Sequence, residues 1–147
     1  MRQGMMLVLL AMCLSGCASV ERNDRGWIEP TEAIRAANED PQHGVRGHFV
    51  MTVKAIGGEH EWVFLNSERD YRDQRNLTIK MRKSLVPKVE RRLGVPFDEL
   101  KNRRIVVQGT ARRVRILFLN DAGRPSGKYY FQTHVAVTSE TQIDFAK

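Results

Sequence analysis

The chain has 147 residues, with 24 Lys or Arg against 17 Asp or Glu, for a formal charge of +7. That length suits one small domain and leaves little room for two independent cores. Hydrophobic residues make up 41% of the chain and are spread along it, which excludes a disordered protein. The one continuous apolar run is too little for a multi-span membrane protein. The basic surplus favours an anionic partner without naming one.

Met1-Arg2-Gln3 is a short positive start, and Gly4 to Leu14 is apolar (GMMLVLLAMCL). Such a run is too short to cross a bilayer core as a mature helix, and it has the length of the hydrophobic region of an export signal. It leads into Leu14-Ser15-Gly16-Cys17, which resembles the lipobox of bacterial lipoproteins. The resemblance covers residues 1–18 and implies a signal peptide at 1–16, cleavage before Cys17, and acylation of the Cys17 sulfur and its new amine. It also implies that no disulfide remains, because Cys13 leaves with the signal and Cys17 is blocked. Several acyl chains would anchor the protein firmly, at about 0.8 kcal/mol per buried methylene. Ala18 and Ser19, in place of Asp after the cysteine, imply by similarity to enterobacterial sorting a location on the periplasmic face of the outer membrane.

Residues 17–43 read as a lipidated tether and a short helix. Val20 to Gly26 is polar, Trp27-Ile28 can dock on the domain, and Thr31 is the expected cap of a helix over Glu32 to Asn38. From residue 44 to 147 the pattern predicts a single β domain. Val45 to Ala55 alternates with period two, Gly57-Gly58 is the expected turn, and Glu59 to Asn66 returns as a second strand. After the charged loop Ser67 to Gln74, a third strand is expected over Arg75 to Arg82. Ser84, Pro87 and the spacing of Val86, Val89 and Leu93 predict a helix that ends at Gly94. A long fourth strand follows from Arg104 to Phe118. Its apolar phase switches after Gly109, which predicts a bulge near Ala111 to Arg113. The fifth strand is expected over Lys128 to Thr138, and Thr141 to Phe145 should extend the pairing.

Three strands, a helix and two strands is the order of an OB-fold. The expected fold class is therefore mainly β, a closed five-stranded OB-fold barrel with a short N-terminal helix. Gly47 and Gly109 lie mid-strand, where a small barrel must bend. Phe64-Leu65-Asn66, Asp70-Tyr71-Arg72 and Leu77-Thr78-Ile79 together resemble the strand–loop–strand of staphylococcal-nuclease-like OB domains. Arg104 to Gly109 and Thr141 to Phe145 are similar to the later strands of their catalytically depleted members. This resemblance spans about residues 45–145 and implies the fold more than an activity.

Nuclease chemistry needs a cation held by carboxylates and an arginine on the phosphate. Glu68, Asp70 and Asp73 crowd one loop with Arg69, Arg72 and Arg75, but the family's catalytic Asp, Arg and Glu pattern is missing from these positions. The loop reads equally as a solvated turn. His43, His48, His60 and His134 are scattered, so no metal site is expected. No cofactor and no nucleophile are expected either.

Binding has the better physical case, because OB-folds present the face of their second and third strands to extended ligands. Lys54, Trp62, Tyr71, Arg72, Lys80 and Arg82 are the candidate ligand-binding residues. The cations can meet phosphates or carboxylates, and the rings can stack on a base or sugar. Trp62 reads equally as core, and the basic groups read equally as edge charges that discourage aggregation. The expected function is a non-catalytic, lipid-anchored binding module of the envelope with an envelope protein as partner. A nucleic-acid or anionic-glycan binding domain and a degenerate metal-dependent hydrolase are the alternatives.

Overall fold

The computed structural model describes residues 19–147. The expected signal peptide at 1–16 and the expected lipidation site Cys17 lie outside the described residues. Helix α1 spans Pro30–Glu39. It is followed by strands β1 (Val45–Thr52), β2 (Ala55–Glu59), β3 (Trp62–Asn66) and β4 (Leu77–Arg82). A 3-10 turn leads into α2 (Val86–Leu93), and a second 3-10 turn over Phe97–Leu100 precedes β5 (Arg104–Leu119) and β6 (Pro125–Val137). A last turn leads into β7 (Ile143–Phe145). Among the described residues no helix is long and apolar enough to cross a membrane.

The protein is mainly β, as the alternation predicts, but it has seven strands in an open, OB-like sheet and not a closed five-stranded barrel. The strand order is β1-β5-β6-β4-β3-β2, with β7 paired to β5. The expected first strand divides because it changes partner: β1 pairs with β5 and β2 with β3. Between them the Val53 N–H donates to Arg103 and the Lys54 N–H to Asn66, on opposite sides of the break. The ends of the hydrogen-bonded path are thus joined by chain, with no ladder between them. β4 and β6 pair in parallel, and the other ladders are antiparallel.

Several local expectations are corrected. The first hairpin turns at His60-Glu61, where His60 has φ 49°, and Gly57-Gly58 lie inside β2. Pairing of Ile56 with buried Leu65 sets that register and overrides the local turn signal. Thr31 does not cap α1; the helix begins at Pro30, whose fixed φ suits a first turn. Ser84 likewise makes no cap bond to α2, which ends, as expected, at a left-handed Gly94.

The core is built from the inward row of each strand: Phe49 and Met51, Leu65, Leu77, Ile79 and Met81, Ile105 and Val107, Val135 and Val137. Ile28 and Ala33 of the N-terminal segment complete it, together with Val89, Leu100 and Ile143. Gly47 and Gly109 are direct partners across β1 and β5. A Cβ on Gly47 would lie 2.6 Å from Ile28 Cδ1, and one on Gly109 would lie 2.6 Å from Val135 Cγ1. These glycines admit core side chains to within contact of the backbone.

No bulge occurs near Ala111. The β5–β6 register runs unbroken from Ala111↔Val135 to Leu117↔Tyr129 and shifts only between Leu117 and Leu119. The apolar phase switches because the core ends at Ala111. Beyond it, Val114 and Ile116 belong to the outer face, and the odd-numbered row runs off the end of the core.

Candidate binding face

The outer face of the sheet carries the side chains that the core excludes. Along β3 these are Trp62 and Phe64, along β4 Thr78, Lys80 and Arg82, and along β6 Gln132, His134 and Ala136. The register places Trp62 beside Arg82, Phe64 beside Lys80, and Lys80 beside Ala136. On the far side Arg112 faces His134, and Arg46 faces Thr110. Ala136 is the small residue of this surface, so the larger side chains around it enclose hollows.

Two adjoining basins result. One of about 580 Å³ is lined by Arg46, Lys80, Gln108, Thr110, Arg112, His134 and Gln142 around Gly109 and Ala136. The other, of about 440 Å³, is lined by Trp62, Lys80, Arg82, Ser84 and Lys88, with Thr138 at its edge. Lys80 and Ala136 belong to both. No carboxylate lines either basin among the described residues, so five cations face a common groove. Such a surface concentrates anions and steers their approach.

Trp62 is the aromatic wall of the groove. Lys80 Nζ sits 4.0 Å from the ring centroid and the Arg82 guanidinium carbon 4.7 Å from it. The ring quadrupole attracts both cations and holds their stems against the indole. Arg82 also lies 3.9 Å from Glu61, in an exposed pair.

His134 forms the floor beside Lys80. Burial, reinforced by the Lys80 charge, pushes its pKa down to about 4, so the ring is neutral at pH 7. Its Nε2 is 2.7 Å from Gln132 Oε1, while Gln132 Nε2 donates to the Tyr71 carbonyl and to the Tyr130 hydroxyl oxygen. Those two donations fix the Gln132 amide, which makes Nε2 the protonated nitrogen of His134. The row links the groove to the 67–76 loop.

That loop is held from inside. Asn76 Nδ2 donates to Asn66 Oδ1, Thr78 Oγ1 and the Tyr71 carbonyl, and Asn76 Oδ1 accepts from the Glu68 N–H. Its acidic residues face cations: Glu68 meets Lys54 at 2.8 Å and Asp73 meets Arg75 at 2.8 Å. Hydrogen bonds from Arg75 hold the Asp73 carboxyl down to about 2. Asp70 accepts from the Arg72 N–H.

Of the residues singled out in the sequence, Trp62, Lys80 and Arg82 come together in the groove. Tyr71 and Arg72 stack on each other with 5.1 Å between guanidinium and ring, and Tyr71 lines a third hollow with Phe64, Tyr130 and Gln132. Lys54 stands apart, tied to Glu68 at the β1–β2 break. Thr78, in the same outward row as Lys80, is buried in the Asn66–Asn76 cluster. Arg46, Lys88 and Arg112 are groove cations outside that candidate set, and His134, read in the sequence only as one of four scattered histidines, joins them. For His134 and Arg112 the signal was their alternation with buried Val135 and Ala111.

No protein-family model matches the chain, and no curated protein matches it. Among solved structures the chain is similar to an aspartyl tRNA synthetase from Entamoeba histolytica. The match has 14% identity and a TM-score of 0.39, and it covers 71% of this chain and 19% of that one. At that TM-score the likeness carries no argument about function.

Proposed function

We propose that this chain is a lipid-anchored, non-catalytic binding module of the bacterial cell envelope, which holds an acidic segment of an envelope protein in its basic groove. The observation that carries this reading is the convergence of Arg46, Lys80, Arg82, Lys88 and Arg112 on two joined basins without a carboxylate. An extended chain laid along the groove would meet cations at successive positions and a tryptophan ring for its apolar groups.

The finer fold reading is an OB-fold, with β1 and β2 taken as two halves of one bent strand. Its support is the strand order, the parallel β4–β6 pairing and a helix between β4 and β5. The support for the anchor is the order of charge, apolar run, small residues and Cys17. Placement on the periplasmic face of the outer membrane rests on Ala18 and Ser19 in place of Asp.

A second reading, an anionic polymer such as nucleic acid or glycan, is favoured by Trp62, whose ring is framed by two cations in the way a stacking platform beside phosphates would be. The two readings separate by salt: phosphate contacts release counterions, so polymer affinity falls steeply with ionic strength.

The test is a pull-down from membranes using wild type beside Cys17→Ser, with fractionation of both. The proposal expects wild type in the outer-membrane fraction with one stoichiometric envelope protein, and Cys17→Ser displaced from that fraction. Identical fractionation of the two forms with no co-purifying protein overturns it.

A further inference from the structure

Among the described residues, five of the six exposed large hydrophobics lie on the β5–β6 hairpin: Leu117, Phe118, Leu119, Tyr129 and Phe131. The hairpin continues from Ala111 to Leu119, an extension of about 26 Å at the usual strand rise. Its two faces differ. The even row, with Ile116, Tyr130 and Gln132, is half-covered, and Gln132 is bonded to the Tyr71 carbonyl. The odd row continues the core face past the end of the core and is open. It pairs Arg115 with Phe131 and Leu117 with Tyr129, and it ends at Leu119, which is 61% exposed. Arg113 lies over Phe131 at 4.3 Å and Arg115 over Tyr129 at 5.5 Å. Residues 112–132 carry five cations against Asp121 alone.

The N-terminal segment points to what covers that strip. Helix α1 runs from the Arg104 end of β5, where Glu29 pairs with Arg104, toward the Ala111 end, where Arg112 donates to the Gln42 carbonyl. The tether lies along it. The Glu21 N–H bonds Glu32, and the Ser19 carbonyl accepts from Arg35, one turn nearer the hairpin. Cys17 is two residues beyond Ser19, within about 7 Å of chain. Ser19, the first described residue, therefore lies on the helix side of the end from which the hairpin projects, and an anchor on Cys17 would be within that short reach of it.

We propose that the open strip of the hairpin, formed by Arg113, Arg115, Leu117, Leu119, Tyr129 and Phe131, rests on the anionic lipid surface that receives the Cys17 anchor. The proposal rests on the lipid-anchor reading above. Arginines on lipid phosphates with leucine and tyrosine at the headgroup boundary are the chemistry such a surface selects. Docking at this second point fixes the orientation of the basic groove relative to the membrane.

The test uses the mature acylated full chain with an environment-sensitive fluorophore on Leu119→Cys, reconstituted into vesicles of phosphatidylethanolamine and phosphatidylglycerol. A label on Lys101→Cys, before the other end of β5, is the control. Mass spectrometry of the same sample reports acylation. The expected result is a blue-shifted position-119 signal, quenched by spin-labelled lipid, with position 101 unaffected. Arg113→Ala/Arg115→Ala should reduce the docking equilibrium constant about twenty-five-fold, at about fivefold per cation. An acylated chain whose position-119 label stays in water overturns the hairpin proposal and leaves the anchor standing. A blue shift that appears only when membrane protein is added also overturns it, in favour of a protein partner on the strip. A chain without acyl groups overturns both.

Discussion

Lys80 and Trp62 are diagonal neighbours across β4 and β3, with the ammonium nitrogen 4.0 Å from the centre of the indole ring. Lys80 also lines both basins, so the cation that braces the aromatic wall is the one at the middle of the groove. A ligand anion that draws Lys80 toward itself changes the environment of Trp62. Binding should therefore alter Trp62 emission, measured in a Trp27→Phe background. Trp62→Ala should weaken the partner about tenfold, the loss of one stacking platform. Unchanged affinity in Trp62→Ala would remove the ring from the site.

His134 gives the groove a pH dependence. Its folded pKa, about 4, lies below the ordinary 6.5, so between those values the unfolded chain binds more protons than the folded one. The contribution is fully present above pH 6.5 and is lost as pH falls toward 4, on the order of 3 kcal/mol. Denaturant titrations across that window should show the loss in wild type and a flatter profile in His134→Gln. Parallel profiles would contradict the account.

The Asn76 amide closes the 67–76 loop onto buried Asn66 and Thr78. Asn76→Ala leaves Asn66 Oδ1 and Thr78 Oγ1 with only their bond to each other and frees the Glu68 N–H, and should cost about 3 kcal/mol. Amide exchange should rise through residues 67–76 in the same variant, because the bond to the Tyr71 carbonyl is lost with it. A stability within about 0.5 kcal/mol of wild type would show that the cluster is dispensable.

At Gly109 a side chain competes with Val135. Gly109→Ala places a Cβ 2.6 Å from Val135 Cγ1 and should destabilise by about 1–3 kcal/mol, the usual range for overpacking. Gly109→Ala combined with Val135→Ala should recover part of that loss, since the clash is specific to the pair. Additive losses in the double variant would point to backbone strain instead.

The mid-strand glycines illustrate what was legible in the sequence. Gly47 and Gly109 were readable as positions where strands bend, but their direct pairing and the side chains they admit depend on the β1–β5 register. Lys80 and Arg82 were readable as one surface because they alternate with buried Ile79 and Met81, whereas Trp62 read equally as core and is set on the outer face by its pairing with Arg82. Lys54 was misplaced because its partner Glu68 sits 14 residues away, across a loop whose path no local pattern specifies. Arg46 and Arg112 come from strands that meet the site only through the β5–β6 pairing. Phe131 follows the core phase of β6 yet is exposed, because alternation tells which face a residue takes and not where the core ends.

The central claim is that the basic groove holds the partner, and charge reversal inside it is the most direct test. Lys80 and Arg112 flank the common basin without structural ion pairs lining it. The measurement is the yield of the co-purifying envelope protein from membranes with Lys80→Glu/Arg112→Glu, beside wild type at equal anchored amounts. The account predicts loss of the partner from the double variant while the chain stays folded and membrane-bound. Recovery of the same partner at wild-type yield would contradict it.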